Sequence, residues 1–326
     1  MKHIPAPRID RQVAFHFQGD WGQANLHRIC GWLMQELADN CGPGSRMAVW
    51  NGRGGADAAH AVSAKEVDLA FMVPAISVRM ALDGTGLFEG SPNPRLRAIG
   101  TMPQTDRLIL AIRSDAGIGS LEQLRAKKAP LRIATSQDDG VNTIGFAAQR
   151  MMEFCGIPRA TLESWGGRYL EAERPSDCVD LVRRGEANAI IHEAIMTPYW
   201  HNLADSVDLT FLHWEDAALA EMERRYRWTR ATVPQGFLRG MSEELTALEF
   251  SDFLAVARDD MPDDVAYLLA WCMCERRAAL ERQYAHIPPH RSPVTYPLEP
   301  ARIAQTTIPL HPGAERYYRD AGLLPD

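Results

Sequence analysis

Apolar residues in this chain fall into two kinds of run that alternate along it. Short apolar runs bounded by glycine, proline or acidic turns read as strands, and longer runs with apolar residues three and four apart read as helices. Val13–Phe17 is a strand of this kind, and the following helix carries Leu26, Ile29, Cys30, Leu33, Met34 and Leu37 before Cys41-Gly-Pro-Gly44 stops it. Met47–Trp50 is a second strand, Asn51-Gly-Arg-Gly-Gly55 a glycine-rich turn, and residues 56–64 a helix. Val67–Val73 is a third strand, ended by Pro74 and followed by a helix to Gly84, while residues 93–100 connect onward.

Leu108–Arg113 is rich in branched residues and reads as a strand, and Ser120 caps a helical turn before the next one, Leu131–Thr135. Ser136–Gly140 is a polar loop, and a helix from about Val141 runs through Met151 and Phe154 to Gly156. Thr161–Trp165 reads as a strand, 176–184 as a helix and Ala187–Ile191 as a short buried strand ending at His192-Glu193. Between 210 and 240 the pattern weakens, apart from a charged helix at 217–226. Phe250–Ala257 reads as a strand, Pro262–Tyr284 as one long amphipathic helix, and Pro312–Ala321 as a short helix stopped by Gly322.

The two halves of this series match in type. Gly22 and Gly140 each precede a helix, Trp50-Asn-Gly-Arg53 and Trp165-Gly-Gly-Arg168 each end a strand, and Asp68 and Asn188 each open a buried run. Their spacings of 118, 115 and 120 residues nearly agree, as an internal repeat requires. The expected fold is therefore α/β, with two similar lobes of doubly wound sheet, a ligand cleft between them and the strand ends of both lobes facing it. The loop 136–140 is the centre of that expectation. A loop leaving a strand's carboxyl end and opening a helix presents backbone N–H groups and a positive dipole end, which suit a carboxylate.

Composition narrows the function. The chain has 326 residues, 46% of them apolar and 24% charged, with a net charge of −7. Acid and base are intermixed, so no basic stripe for nucleic acid or an anionic membrane surface stands out. No apolar run reaches the length of a membrane-spanning helix, which argues against direct membrane insertion. Residues 1–8 lack the apolar stretch of a secretory signal, so the expectation is either a cytoplasmic chain or an export signal missing ahead of this sequence. The six cysteines show no CxxC pair and read as buried thiols, and the histidines lack metal-ligand spacing. No GxSxG, HExxH, GxxxxGK or strand-borne GxGxxG occurs, so no catalytic motif, metal or cofactor is expected.

Four stretches carry a likeness to a known family: Glu66–Val73 with the helix to Asp83-Gly84, Ala116–Leu124 leading into the 131–146 unit, Gly185–Ala189, and Leu310-His-Pro-Gly-Ala-Glu-Arg-Tyr-Tyr-Arg-Asp-Ala-Gly-Leu323. In these the chain resembles the TAXI-type solute receptors of TRAP transporters, which are type II periplasmic binding proteins. The resemblance implies two lobes that close on a small organic acid or amino acid such as glutamate, a periplasmic location and a TRAP permease as partner. It assigns the crossings between lobes to Leu108–Arg113 and Phe250–Ala257. Lobe one is then 1–110 with 257–326, and lobe two 111–256. The chain departs from the family pattern at residues 18–25 and 51–55, where the family carries a glycine–tyrosine loop and a Thr-Gly-Ser-type turn.

The candidate ligand-binding residues follow from these turns. Arg53, beside Asn51, offers a planar fork for a carboxylate, or is a surface turn arginine. Ser136, Asn142 and Thr143 offer donors, or cap the helix. Trp21 covers an apolar part of the ligand or belongs to the core. Asp20 and Asp138 accept from an amino or hydroxyl group, or serve their turns. Met72, Val73 and Pro74 floor lobe one, and His192 with Glu193 floors lobe two. His192 is a hydrogen-bonded structural histidine or an acid–base group. The last alternative keeps open a cytoplasmic enzyme on this scaffold, a decarboxylase or dehydratase of a small carboxylic acid. A cytoplasmic ligand sensor is a third reading.

Overall fold

A computed structural model describes residues 1–20 and 25–325, the side chain of Asp20 excepted. Trp21 and the Asp20 carboxylate, both expected at the ligand, lie outside the described residues. The chain forms two compact units, residues 1–105 with 251–326 and residues 106–250. It passes between them at 105/106 and 250/251, several residues ahead of the expected passages at 110/111 and 256/257.

The first unit begins with β1 (Ala14–Asp20), α1 (Asn25–Asp39), β2 (Arg46–Gly52), α2 (Ala56–Ser63), β3 (Leu69–Met72), α3 (Ala75–Asp83) and β4 (Leu96–Met102). Residues 93–100, expected as a connection, thus contain most of a strand. Gly100 leaves no side chain there because the Tyr318 hydroxyl occupies the space, and that gap interrupts the apolar run.

The second unit holds β5 (Arg107–Arg113), α4 (Leu121–Lys127), β6 (Arg132–Thr135), α5 (Thr143–Phe154), α6 (Arg159–Ser164), β7 (Arg168–Glu171), α7 (Pro175–Arg183) and β8 (Ala189–His192). It continues with α8 (Pro198–Ser206), β9 (Leu209–Leu212), α9 (Asp216–Tyr226), β10 (Arg230–Val233) and β11 (Leu245–Glu249). The expected strand Thr161–Trp165 is α6 and its cap instead. Pro158 starts that turn in extended conformation and Leu162 alone is fully buried in it, as suits a one-sided helical turn rather than a strand.

The chain then returns to the first unit as β12 (Phe253–Arg258), α10 (Asp263–Glu275), α11 (Arg277–Tyr284), α12 (Pro300–Ile303) and α13 (Pro312–Asp320). Two expectations change here. The strand starts at Phe253, not Phe250, because Asp252 turns the backbone to φ +69°. The long helix breaks at Arg276, whose φ of −100° and ψ of 1° leave the helical region.

The sheet orders show the repeat directly. The first sheet runs β2-β1-β3-β12-β4, with β2, β1 and β3 parallel and β12 antiparallel to β3. In the second, β7-β6-β8-β5 repeats that order, with β7, β6 and β8 parallel and β5 antiparallel to β8. Beyond β5 the second sheet adds β11 and β10, and β9 pairs with β5. One matched pair is displaced: Trp165 caps α6, and the strand corresponding to β2 starts only at Arg168.

Each unit has its own core. In the first, Phe15, Phe17, Ile29 and Leu33 meet Leu269, Met273, Tyr317 and Tyr318, with α10 packed against α1 and α13. In the second, Ile109, Ala134 and Ile190 meet Val179, Val182, Trp200 and Leu203. Trp200, Trp214 and Trp228 are fully buried there, and each indole N–H donates to a backbone carbonyl, of Glu193, Leu108 and Glu249 respectively. Satisfying the one donor removes the desolvation cost of burying so large a ring. All six cysteines are buried free thiols.

Candidate functional site

In each unit three parallel strands end side by side, and the turns that follow collect there. This is the edge at which open α/β sheets hold ligands. In the first unit β1 ends at Asp20, β2 at Gly52 and β3 at Met72. The turn after β2 is built from backbone. Gly54 and Gly55 take φ values of +74° and +58°, a region that favours glycine. One carboxylate gathers the turn: Asp57 Oδ2 accepts from the Arg53 N–H at 2.9 Å and from Gln18 Nε2 at 3.3 Å. Asn51 and Arg53 are exposed at this edge. Met72 is fully buried, Val73 half-buried and Pro74 buried, so Met72 belongs to the core under the edge. The Ser77 hydroxyl donates to the Pro74 carbonyl at 2.8 Å and fixes the start of α3.

The second unit builds the corresponding edge from side chains. β6 ends at Thr135, β7 at Glu171 and β8 at His192, and Ser136 and His192 are both fully buried. Ser136 Oγ lies 3.1 Å from His192 Nε2, and the Glu193 N–H donates to His192 Nδ1 at 3.0 Å. Nδ1 also stands 3.4 Å from the Glu193 carbonyl, so the tautomer sets which ring nitrogen donates and which accepts. Burial pushes the His192 pKa down to about 4, so the ring is neutral at neutral pH.

The start of α5 is equally occupied. Asn142 Oδ1 accepts from the N–H groups of Ile144 at 2.9 Å and Gly145 at 3.2 Å. Asp139 Oδ1 accepts from those of Val141 and Asn142, both at 3.0 Å. These are the donors the sequence offered to a ligand carboxylate; in the structure an internal amide and an internal carboxylate take them. Thr143 is buried in the first turn of α5. Asp138 stays partly exposed, 3.8 Å from Arg150, and burial raises its pKa against the pull of Arg150 and Arg159. Arg159 lies 4.7 Å over the Tyr169 ring and pairs with Glu171, itself joined to Gln149.

One group at this edge has no counterpart among the expected residues. Asp106, fully buried just before β5, accepts from the backbone N–H groups of Arg107 at 2.7 Å, Ala194 at 2.9 Å and Ile195 at 3.2 Å. Its carboxyl is also hydrogen-bonded to that of Glu193, whose side chain is 12% exposed. A lone acid ahead of an apolar strand is the only sequence sign of it. Among the described residues no group of three or more His, Cys, Asp and Glu side chains is placed to hold a metal ion. No helix among them is long and apolar enough to cross a membrane.

Known structures share this architecture. One, described as a periplasmic transporter, superimposes with a TM-score of 0.51 at 12% identity, over 95% of this chain and 94% of its own. PhnD1 from Prochlorococcus marinus in complex with methylphosphonate gives 0.55 at 11% identity, over 95% and 99%. A Xanthomonas citri protein bound to ATP gives 0.50 at 11%, over 96% and 97%. At such identities the likeness is one of fold, that of the type II periplasmic binding proteins. The sequence itself is matched by the model of the NMT1-like family across residues 30–322, and the chain belongs to that family.

Proposed function

We propose that this protein is a solute-binding protein that captures a small organic anion by closure of its two units, with a membrane permease as partner. The single observation that carries the reading is the repeated β2-β1-β3 and β7-β6-β8 arrangement, which gives each unit a polar edge where three parallel strands end. The fold shared with periplasmic proteins supports it, and with it a periplasmic location. The C-terminal 310–323 segment, similar to that of TAXI-type receptors, favours a TRAP permease and a carboxylate or amino-acid ligand. The methylphosphonate of PhnD1 makes a small phosphonate the first competitor to the carboxylate.

Exposed Arg53, on a turn whose own N–H is already held by Asp57, supplies the fork for the anion. Asn51 stands beside it, and Asp138 at the other edge accepts from an amino or hydroxyl group of the ligand. Ser136, Asn142, Thr143 and His192 act by holding the second edge in shape, since their polar groups are buried or spent on the backbone.

The test is a thermal-shift screen of mono- and dicarboxylic acids, amino acids and phosphonates, followed by calorimetry. A ligand that binds only the folded state raises the midpoint by mass action. Stabilisation by one class, reduced at least tenfold in affinity by Arg53→Ala, is the expected result. No stabilisation by any compound, or equal affinity in Arg53→Ala, contradicts the reading. Turnover of a bound acid would replace it with the enzyme alternative.

A further inference from the structure

The outer strand of the first sheet is left open by its own fold. Seven-residue β2 has β1 on one side and, among the described residues, no strand on the other. The Arg46 N–H donates to the Val13 carbonyl at 2.8 Å, so the backbone groups of Arg46, Ala48 and Trp50 face β1. Those of Met47, Val49 and Asn51 therefore point away from the sheet. The strands at the other ends of the two sheets are blunted, as natural edges are. β4 is bridged by Leu310 and loses register with β12 between Gly100 and Ala98. β7 and β10 have four residues each, the first bounded by Arg168 and Glu171, the second opened by exposed Arg230. β2 pairs with β1 without a register shift and contains neither proline nor lysine.

The face of β2 that carries Arg46, Ala48 and Trp50 is also poorly covered. In the second unit α7 packs across β6, β7 and β8, and Leu170 of β7 is half-buried against that core. The matching helix α2 packs mainly on β3 and β12. Trp50 corresponds to Leu170. Each lies opposite the strand residue, Gln18 or Ala134, that pairs in turn with the second residue of the third strand, Ala70 or Ile190. Yet Trp50 is 54% exposed, with the His16 ring edge-on at 6.0 Å. Arg46, on the same face, is exposed as well.

We propose that a second copy of this chain pairs its β2 antiparallel to this one, about a two-fold axis at Ala48, so that one sheet runs through the dimer. The outward N–H and C=O groups of Met47 then exchange hydrogen bonds with those of the partner's Val49. On the poorly covered face Ala48 meets its own copy. That pair is of the non-hydrogen-bonded kind, in which the chains approach most closely, and alanine is small enough for it. On the same face Arg46 lies over the partner's Trp50, a cation against an aromatic ring, and the symmetry makes this match twice. On the other face Met47 stands opposite the partner's Val49, and both are already half-buried against the first core. An axis at Val49 would set Met47 opposite Asn51 and Arg46 opposite Gly52, losing both matches. A strand that complements itself in this way is what a two-fold interface requires.

The test is sedimentation velocity of the full chain from about 1 to 200 μM. A concentration-dependent shift from monomer to dimer is the expected result. Val49→Pro removes an outward donor that β1 does not use, so it should stay folded by circular dichroism and monomeric throughout. Arg46→Glu and Trp50→Ala, both at exposed positions, should weaken the dimer at least tenfold, while Arg46→Lys keeps most of it. Oxidation reads the axis. Ala48→Cys should give a disulfide-linked dimer, because facing residues of that pair lie within the reach of a disulfide, whereas Val49→Cys should not. The six native thiols are buried and add no cross-link. A wild type that is monomeric at every concentration overturns the proposal and leaves the edge to a strand of another protein. A dimer that Arg46→Glu and Val49→Pro leave intact overturns it as well, and so does cross-linking at 49 in place of 48.

Discussion

The two strand-end turns do the same topological task with opposite materials. After β2 the chain turns on buried glycines, and a single carboxylate, Asp57, ties together a loop whose Arg53 is exposed. After β6 it turns on side chains. Ser136 is locked to His192, Asp139 and Asn142 cap the helix, and the loop folds so tightly over α5 that Gly145 has the Gln137 carbonyl where a side chain would begin. A turn held by backbone conformation can adapt to what arrives. A turn held by buried, mutually satisfied side chains is pre-formed, and it resists change because every loss strands a partner.

The largest expected effect comes from filling the tight side. Gly145→Ala drives a methyl into the Gln137 backbone, which has nowhere to move. It should destabilise by roughly 3 kcal/mol, the scale of overpacking in a close-packed site. Gly52→Ala meets the ends of two side chains, Gln18 and the Asp57 carboxylate at 3.0 Å, rather than backbone; both can shift, and the change should cost about 1 kcal/mol or less. Urea denaturation of both variants decides. Equal losses would erase the contrast between the turns.

The second effect sharpens it by pH. His192 is fully buried with its pKa lowered to about 4. Its contribution is complete above the unfolded value near 6.5 and is lost as pH falls through that value toward 4. The loss by pH 4 should be on the order of 3 kcal/mol, since each tenfold change in proton affinity between the folded and unfolded chain is worth about 1.4 kcal/mol. His192→Gln should flatten this acid limb of the urea midpoint. An unchanged limb would mean that the ring is not held neutral.

The smallest effect concerns the helix cap. Asn142→Ala leaves two N–H groups without their acceptor and should cost about 1 kcal/mol in urea, as caps generally do. Asp57→Ala should cost no more than that, while making the loop 52–55 more susceptible to limited proteolysis.

The contrast also explains what could be read from sequence. Strands β1, β2, β5, β6 and β8 and helices α1, α2, α3 and α5 follow from period and punctuation, because each has a clear apolar face and Gly, Pro, Ser or Asn at or near a boundary. α6 and β4 do not. The first has a single fully buried apolar residue, and the second is broken by Gly100, whose reason is Tyr318 more than two hundred residues later in the chain. The short β9 and β10 lie in polar-aromatic sequence and gain their pairing from β5 and β11. At the site, sequence marks the turns but not which polar groups are already spent. Nothing local says that Ser136 meets His192, or that Asp106 meets Glu193, because those pairs span 56 and 87 residues and exist only once β6, β8 and β5 lie side by side.

Amide hydrogen exchange with and without the tightest acid from the screen bears most directly on the claim that one edge adapts and the other is pre-formed. Residues 51–55 should exchange quickly in the free protein and become strongly protected on binding, whereas 142–146 should already be slow and change little. Protection gained mainly at 142–146, with 51–55 unaffected, would contradict the account.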